Sequence, residues 1–304
     1  MRAHRLLELL PPSFPEVALL LEPPLAYGLR VSRGGPGPSL LARTEQELVW
    51  PEEGEPAAAA FGSLAERALT ALGQPPRLSL LLGDALMKMQ VLTLTDFPAA
   101  EEEREQVLRW HVRKVLNFTL DGLRLRYQLL GRTEGAVTLW LTLVPESLVA
   151  SLESAFGQRG CHVGYIGAVT PELFNLALRG GALPAEGASL LVNRSPRSVS
   201  FLFAERGQPQ FFRCKELRGV EGDEDPERLG QEVRLTLAYH RERLGGAPLR
   251  AVFVRRHPAW LALPVEDEAG ADVVVAPLRE RLPALAGGGE RPEAGLPLFS
   301  VLEA

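Results

Sequence analysis

The sequence predicts an α/β fold in which a βββαβ unit occurs twice, the first copy interrupted by an insert with a βαββα pattern of its own. Three observations lead there. Two sets of short apolar runs separated by Gly/Pro turns are each followed by one helical stretch and one further apolar run, the second set starting about 170 residues after the first. Between them, Leu123, Leu125, Tyr127 and Leu129 alternate with Arg124, Arg126 and Gln128, and Val137, Leu139, Leu141 and Leu143 with Thr138, Trp140 and Thr142, the period-two pattern of strands with one buried face. The chain of 304 residues, 46% hydrophobic and 23% charged, has the composition of a globular protein with a sizeable core.

In the first unit, Glu16 to Leu21, Leu25 to Ser32 and Ser39 to Val49 form a meander, with Gly34-Gly35-Pro36-Gly37-Pro38 as the last turn. Pro56 opens a helix on which Phe61, Leu64, Ala65, Ala68, Leu69 and Leu72 share one face until Gly73 and Pro75-Pro76 stop it, and Leu78 to Leu82 is the closing strand. The second unit repeats this with strands at Ser189 to Val192, Val199 to Ala204 and Gln210 to Leu217. A helix follows from Pro226 to Leu244, carrying Leu229, Val233, Leu237 and His240 on one side, then a strand from Leu249 to Val254. The insert begins with a strand over Leu86 to Leu94. A helix to about Leu116 follows, its first turn loaded with Glu101, Glu102 and Glu103 where the helix dipole favours negative charge. The two alternating strands come next, and a second helix from Glu146 to Gln158 bears Leu148, Val149, Leu152, Ala155 and Phe156 on one stripe, which suggests a helix pair packed on a small sheet. The expected division is a first domain over 1–83, the insert over 84–165, a returning helix of the first domain over 166–185, and a second domain over 186–304. The last is shortened, because only Arg218 to Asp225 joins its meander to its helix.

Composition narrows the function. The formal charge is -5, from 38 acids against 33 bases with no basic block and only three lysines, which argues against a nucleic-acid binder. The two cysteines, Cys161 and Cys214, stand in no metal-ligand or redox spacing, so no disulfide framework or zinc site is expected and a reducing cytoplasm fits. No apolar run is long enough to cross a bilayer, and Glu8 with Pro11-Pro12 interrupts the leucine-rich start before a signal peptide could form. Any membrane role is therefore expected to come through a partner.

A duplicated βββαβ unit is the plan of the actin-like (ribonuclease H-like) fold, two related domains facing each other across a cleft. The chain resembles the PilM family, cytoplasmic actin-like proteins of type IV pilus assembly related to FtsA and to the cytoplasmic part of GspL. The residues that carry the resemblance are Leu80-Leu81-Leu82-Gly83-Asp84, Leu94-Thr95-Asp96-Phe97-Pro98 and Arg109-Trp110-His111-Val112-Arg113-Lys114-Val115-Leu116-Asn117-Phe118. It continues through Leu120-Asp121-Gly122, Leu125-Arg126-Tyr127-Gln128-Leu129 and Thr170-Pro171-Glu172-Leu173-Phe174-Asn175-Leu176-Ala177-Leu178. The resemblance implies a non-catalytic adaptor of the inner-membrane assembly platform, cytoplasmic and peripheral to the inner membrane. Its implied partner is the short cytoplasmic tail of a PilN-like bitopic membrane protein. It leaves open the pilus assembly ATPase and a second copy of the chain as further partners. The alternatives are an ATP-binding actin-like ATPase and the equivalent component of a type II secretion platform.

Actin-like ATPases hold nucleotide with two Asp-x-Gly phosphate turns and a glycine-rich adenosine turn, because only glycine lets backbone N–H groups close on phosphate. At the first turn this chain has Glu22-Pro23-Pro24, whose prolines remove donors; at the second, Asn193-Arg194-Ser195-Pro196; at the third, Arg255-Arg256-His257-Pro258. Glu22, Pro24, Asn193, Ser195, Arg255 and Arg256 thus mark a degenerate nucleotide site, and no cofactor, metal or ATPase activity is expected. The arginines there are expected to be solvated turn residues rather than an anion site. The five histidines are scattered, the acidic run at Glu101 fits a solvated helix start, and Gly287-Gly288-Gly289 fits a flexible linker. No catalytic constellation emerges.

If the chain binds a tail, the site should combine a sheet edge with apolar pockets and a few polar anchors. Met87, Met89 and Val91 on the strand entering the insert, with Trp110, Arg113 and Arg126, are the candidates, methionine for its adaptability and tryptophan and arginine as common anchors. The alternation of Met87, Met89 and Val91 fits a core-facing strand equally. Arg5-Leu6-Leu7-Glu8-Leu9-Leu10-Pro11 resembles the tail the family binds, and either occupies the groove or packs as a leader helix.

Overall fold

The computed structural model describes residues 15–32, 39–51, 57–95, 97–116, 120–217, 226–245, 247–256, 265, 272–283 and 291–303. The leucine-rich start, the turn after Ser32, the link from Arg218 to Asp225, the stretch beginning at His257 and the glycine run at 287–289 lie outside them.

Strands β1 (Val17–Glu22), β2 (Leu25–Ser32) and β3 (Ser39–Glu47) form the expected antiparallel meander. Helix α1 (Ala57–Leu72) follows, then β4 (Arg77–Leu82), which pairs parallel with β1. The insert supplies β5 (Lys88–Thr95), α2 (Glu101–Leu116), β6 (Leu123–Thr133), β7 (Ala136–Pro145) and α3 (Glu146–Gly157). The chain returns through β8 (His162–Ala168), parallel to β4, and α4 (Val169–Arg179). The second unit runs through β9 (Ala188–Ser195), β10 (Ser198–Glu205), β11 (Gln208–Glu216), α5 (Pro226–Tyr239), β12 (Leu249–Arg255) and β13 (Val274–Pro277), and α6 (Leu298–Leu302) is the last helix described.

The two large sheets have orders β3-β2-β1-β4-β8 and β11-β10-β9-β12-β13, the same arrangement twice. The fifth strand of each, β8 and β13, is an addition to the sequence reading. The latter has only four residues, and Gly164 and Gly167 break the alternation of β8. The insert is a three-stranded sheet, β5-β7-β6.

Inner strands apolar on both faces build a layered molecule. From β1, Val17, Leu19 and Leu21 join α1 and α3 on the outer side of the first sheet, while Ala18 and Leu20 face inward. From β9 and β12, Leu190, Val192, Val252 and Val254 pack under α5, and Leu191 and Phe253 face the first lobe. Between the sheets lies one continuous core, made by α4 with Leu173, Phe174 and Ala177 and by α6 with Phe299, Val301 and Leu302.

The insert's element order is the expected one, but its last helix packs elsewhere. Only α2 covers the small sheet, through Leu108 and Val112 on Leu92, Leu125, Leu139 and Leu141. The stripe of α3, Leu148, Val149, Leu152, Ala155 and Phe156, closes onto Phe61, Leu64, Ala65 and Ala68 of α1. The sequence pattern gives a helix an apolar face without naming the surface that buries it.

Candidate functional site

Two clefts bring chemistry-bearing residues together. The first is the crevice between the lobes, at the carboxyl ends of the inner strands. Arg255, the last residue of β12, is 0% exposed and Glu22, the last of β1, is 3% exposed. The guanidinium forks onto the carboxylate, Nη1 to Oε1 at 2.9 Å and Nη2 to Oε2 at 2.8 Å. Nη1 also donates to Asn193 Oδ1 at 3.1 Å and Nη2 to the Ala294 carbonyl at 2.8 Å. Asn193 Nδ2 in turn donates to Asp84 Oδ2 and reaches Thr170 Oγ1, each at 3.0 Å, and Thr170 gives its backbone N–H to Asp84 Oδ1 at 3.0 Å. Complete burial pushes the Asp84 carboxyl above its ordinary value, against the lowering effect of these bonds. Arg256 adopts φ 58, places a guanidinium nitrogen 3.9 Å from Glu22 and gives its N–H to Glu293. Burial and the neighbouring Arg255 hold its pKa below the usual arginine value.

The second cleft is a groove of about 360 Å³ between the insert and the first lobe. Every residue from Val163 to Ala168 lines it. Side chains alternate across a strand, so an unbroken run of lining residues means that β8 presents its backbone edge, and among the described strands β8 is the last of its sheet. The opposite wall is the face of the small sheet turned away from α2. There the registers align Val91 with Trp140 and Gln128, and Met89 with Thr142 and Arg126. Glu172 and Asn175 of α4 close one side. Glu172 is 6% exposed and accepts from Tyr165 Oη at 2.5 Å, Ser300 Oγ at 2.5 Å and Asn175 Nδ2 at 3.3 Å. Burial beside that carboxylate pushes the Tyr165 phenol up. Gly167 makes room for the ring, since a Cβ there would lie 2.6 Å from Tyr165 Cε1.

No family model matches this chain, and no curated protein matches it in sequence. Solved structures do. The PilM-PilN type IV pilus biogenesis complex superposes with a TM-score of 0.72 at 18% identity, covering 96% of this chain and 97% of that one. A Bacteroides thetaiotaomicron protein of unknown function with an actin-like ATPase fold gives 0.55 at 11% identity, covering 87% and 91%. The cytoplasmic domain of EpsL, an inner membrane component of the type II secretion system of Vibrio cholerae, gives 0.52 at 10% identity, covering 95% and 94%. The fold is actin-like.

Within this actin-like fold the residues singled out in the sequence fall into three places. Glu22, Asn193, Arg255 and Arg256 meet in the crevice, and Arg255 is a fully buried strand residue rather than the solvated turn arginine expected. Pro24 lies in the two-residue turn after Glu22, and Ser195 Oγ shares a hydrogen bond of 2.9 Å with Ser198 Oγ at the β9–β10 turn. Met87 and Arg126 line the groove; Met87 sits in the bend before β5, because Asp84–Leu86 is a 3₁₀ turn rather than the start of a strand. Met89 lies in a neighbouring cleft with Phe212 and Cys214, and Val91 packs on the core between the lobes. Trp110 and Arg113 are exposed on α2 and line neither cleft; Lys114 Nζ sits 4.8 Å from the Trp110 ring centroid.

Trp140, Tyr165 and Glu172 were missing from the sequence-derived set. For Trp140 a signal existed: a tryptophan on the polar side of an alternating strand is out of place unless something covers it. What covers it is Phe212 of the second lobe, 5.3 Å away between ring centroids.

Proposed function

We propose that the chain is a non-catalytic adaptor that binds the N-terminal cytoplasmic tail of a PilN-like bitopic membrane protein in the groove between β8 and the insert. Through that partner it takes a cytoplasmic position beside the inner membrane. The observation that carries this reading is the outer edge of β8, the last described strand of its sheet, facing the Trp140 and Arg126 side of the small sheet. An extended segment lying along that edge would have the β8 main chain on one wall and apolar and charged side chains on the other. The likeness in fold to the PilM-PilN complex over nearly the whole chain supports the same assignment. Met87 and Arg126 are the sequence-derived residues that serve this site, with Trp140, Tyr165 and Glu172 added.

The non-catalytic part of the proposal rests on the crevice. A guanidinium and a carboxylate pair across the strand ends where an open α/β sheet would otherwise receive a ligand. Glu22-Pro23-Pro24 offers fewer N–H donors to a phosphate than a glycine turn would. The likeness to the EpsL cytoplasmic domain favours, as a second reading, the same adaptor role in a type II secretion platform.

The test is calorimetry of the full chain with a synthetic N-terminal peptide of the candidate membrane protein. Binding on the order of a micromolar, about 8 kcal/mol, and weakened at least about tenfold by Arg126→Glu, a loss of about 1.4 kcal/mol, is the expected result. A peptide that binds Arg126→Glu as tightly as the parent, or no candidate tail that binds at all, would overturn the proposal.

A further inference from the structure

The contacts in the crevice follow the duplication. In sheet order β1 corresponds to β9 and β4 to β12. Glu22 ends β1 and meets Arg255, which ends β12; Asn193 of β9 meets Asp84, two residues beyond β4. Each lobe thus gives the end of its first strand to the end of the other's fourth strand, once as an ion pair and once as an amide-to-carboxylate bond. Arg255 reaches a third point, the Ala294 carbonyl, in the segment that leads into α6 and so onto the first lobe.

Hinged two-lobe proteins leave the space between strand ends open and close it on a ligand. Here those ends bind one another. Glu22 and Arg255 are more than nine-tenths buried, so water cannot replace either partner without the lobes separating, and separation would break every one of these bonds together. The insert adds a second tie, Trp140 against Phe212.

We propose that this crossed set of contacts is an interlobe lock, in which Arg255 is a built-in occupant of the crevice and holds the lobes in one closed arrangement without a ligand. The lock is independent of what the groove binds, and failure of the peptide test leaves it standing.

The experiment is hydrogen exchange by mass spectrometry on the full chain, with small-angle scattering for the separation of the lobes. The double variant Glu22→Gln/Arg255→Met removes both charges at similar volume. It is expected to unfold cooperatively like the parent, yet to exchange amides around 20–25, 190–196 and 252–256 at least about tenfold faster, with a larger radius of gyration and unchanged exchange in the insert. Arg255→Lys keeps the charge but loses the fork, and is expected to fall between the two. Crevice exchange in the double variant within about twofold of the parent would overturn the lock. If the double variant does not fold, Arg255→Lys decides: parental exchange there would show that the pair serves the stability of the fold and not the position of the lobes.

Discussion

Trp140 sits on the side of β7 that the alternation assigns to solvent, yet it is 7% exposed because Phe212 of the second lobe lies across it. Its indole N–H reaches Thr142 Oγ1 at 3.2 Å, so the ring is fixed at both ends. Truncating such a side chain removes packing that the surroundings cannot refill, and Trp140→Ala is expected to cost about 3–5 kcal/mol in urea unfolding and to weaken binding in the groove. Trp110, also a tryptophan on the insert, is 60% exposed, with the Lys114 ammonium over its ring. Trp110→Ala is expected to change stability by less than about 0.5 kcal/mol and to leave groove affinity at the parental value. Equal effects of the two substitutions would show that the groove is assigned to the wrong face of the insert. His240 gives a prediction in pH. It stacks on Phe203 at 4.3 Å, and burial holds its pKa below 6.5, an effect that Glu205 opposes only in part. The folded state therefore favours the neutral ring and the unfolded chain takes up the proton first, so this contribution to stability is present above the unfolded pKa and is lost as pH falls through the folded one. Unfolding midpoints measured from pH 7.5 down to 5 are expected to fall for the parent and to fall less for His240→Phe; parallel curves would remove the assignment.

At the scale of the element, period and punctuation are enough to recover the three-stranded meanders, α1, α2, α3 and the insert's strands, because each is either a short apolar run or a pattern with one apolar face, and each has a clear stop. β8 escapes because its glycines erase the alternation, and the surface buried by α3 escapes because a stripe of leucines fits any apolar partner of the right shape. That last difference has a measurable consequence. Leu108 of α2 and Leu152 of α3 are both 0% exposed, but they belong to separate cores, the insert's own and the outer layer of the first lobe. Each truncation to alanine should cost about 2–5 kcal/mol where it acts. Leu108→Ala is expected to speed hydrogen exchange in β5, α2, β6 and β7 and spare α1, whereas Leu152→Ala is expected to loosen α1 and β4. Loss of protection in α1 on Leu108→Ala would mean that the insert and the lobe open as one unit.

At the scale of the whole molecule, the duplicated plan is visible in the sequence because both copies keep the same order of strands and helix, while the way the copies meet is not. Nothing in Glu22-Pro23-Pro24 or Arg255-Arg256 announces that residues 233 positions apart form a buried ion pair. An arginine in an apparent turn looks solvated until the second lobe's strand is seen to end against the first. On the proposed reading the glycine-poor turns make the crevice a poor phosphate cradle, and the buried ion pair takes up part of it beside a cavity of about 240 Å³. These are separate obstacles, and nucleotide binding can be used to tell them apart. Calorimetry of the parent with Mg-ATP is expected to show no binding tighter than about 0.1 mM, some 5.5 kcal/mol. Emptying the crevice by Glu22→Gln/Arg255→Met removes the ion pair but does not restore the N–H donors of a glycine turn, so this variant is expected to remain as silent as the parent. Heat of binding that appears only in the double variant would show that the turns still cradle phosphate and that Arg255 alone keeps it out; heat in the parent would return the chain to the nucleotide-binding members of its fold.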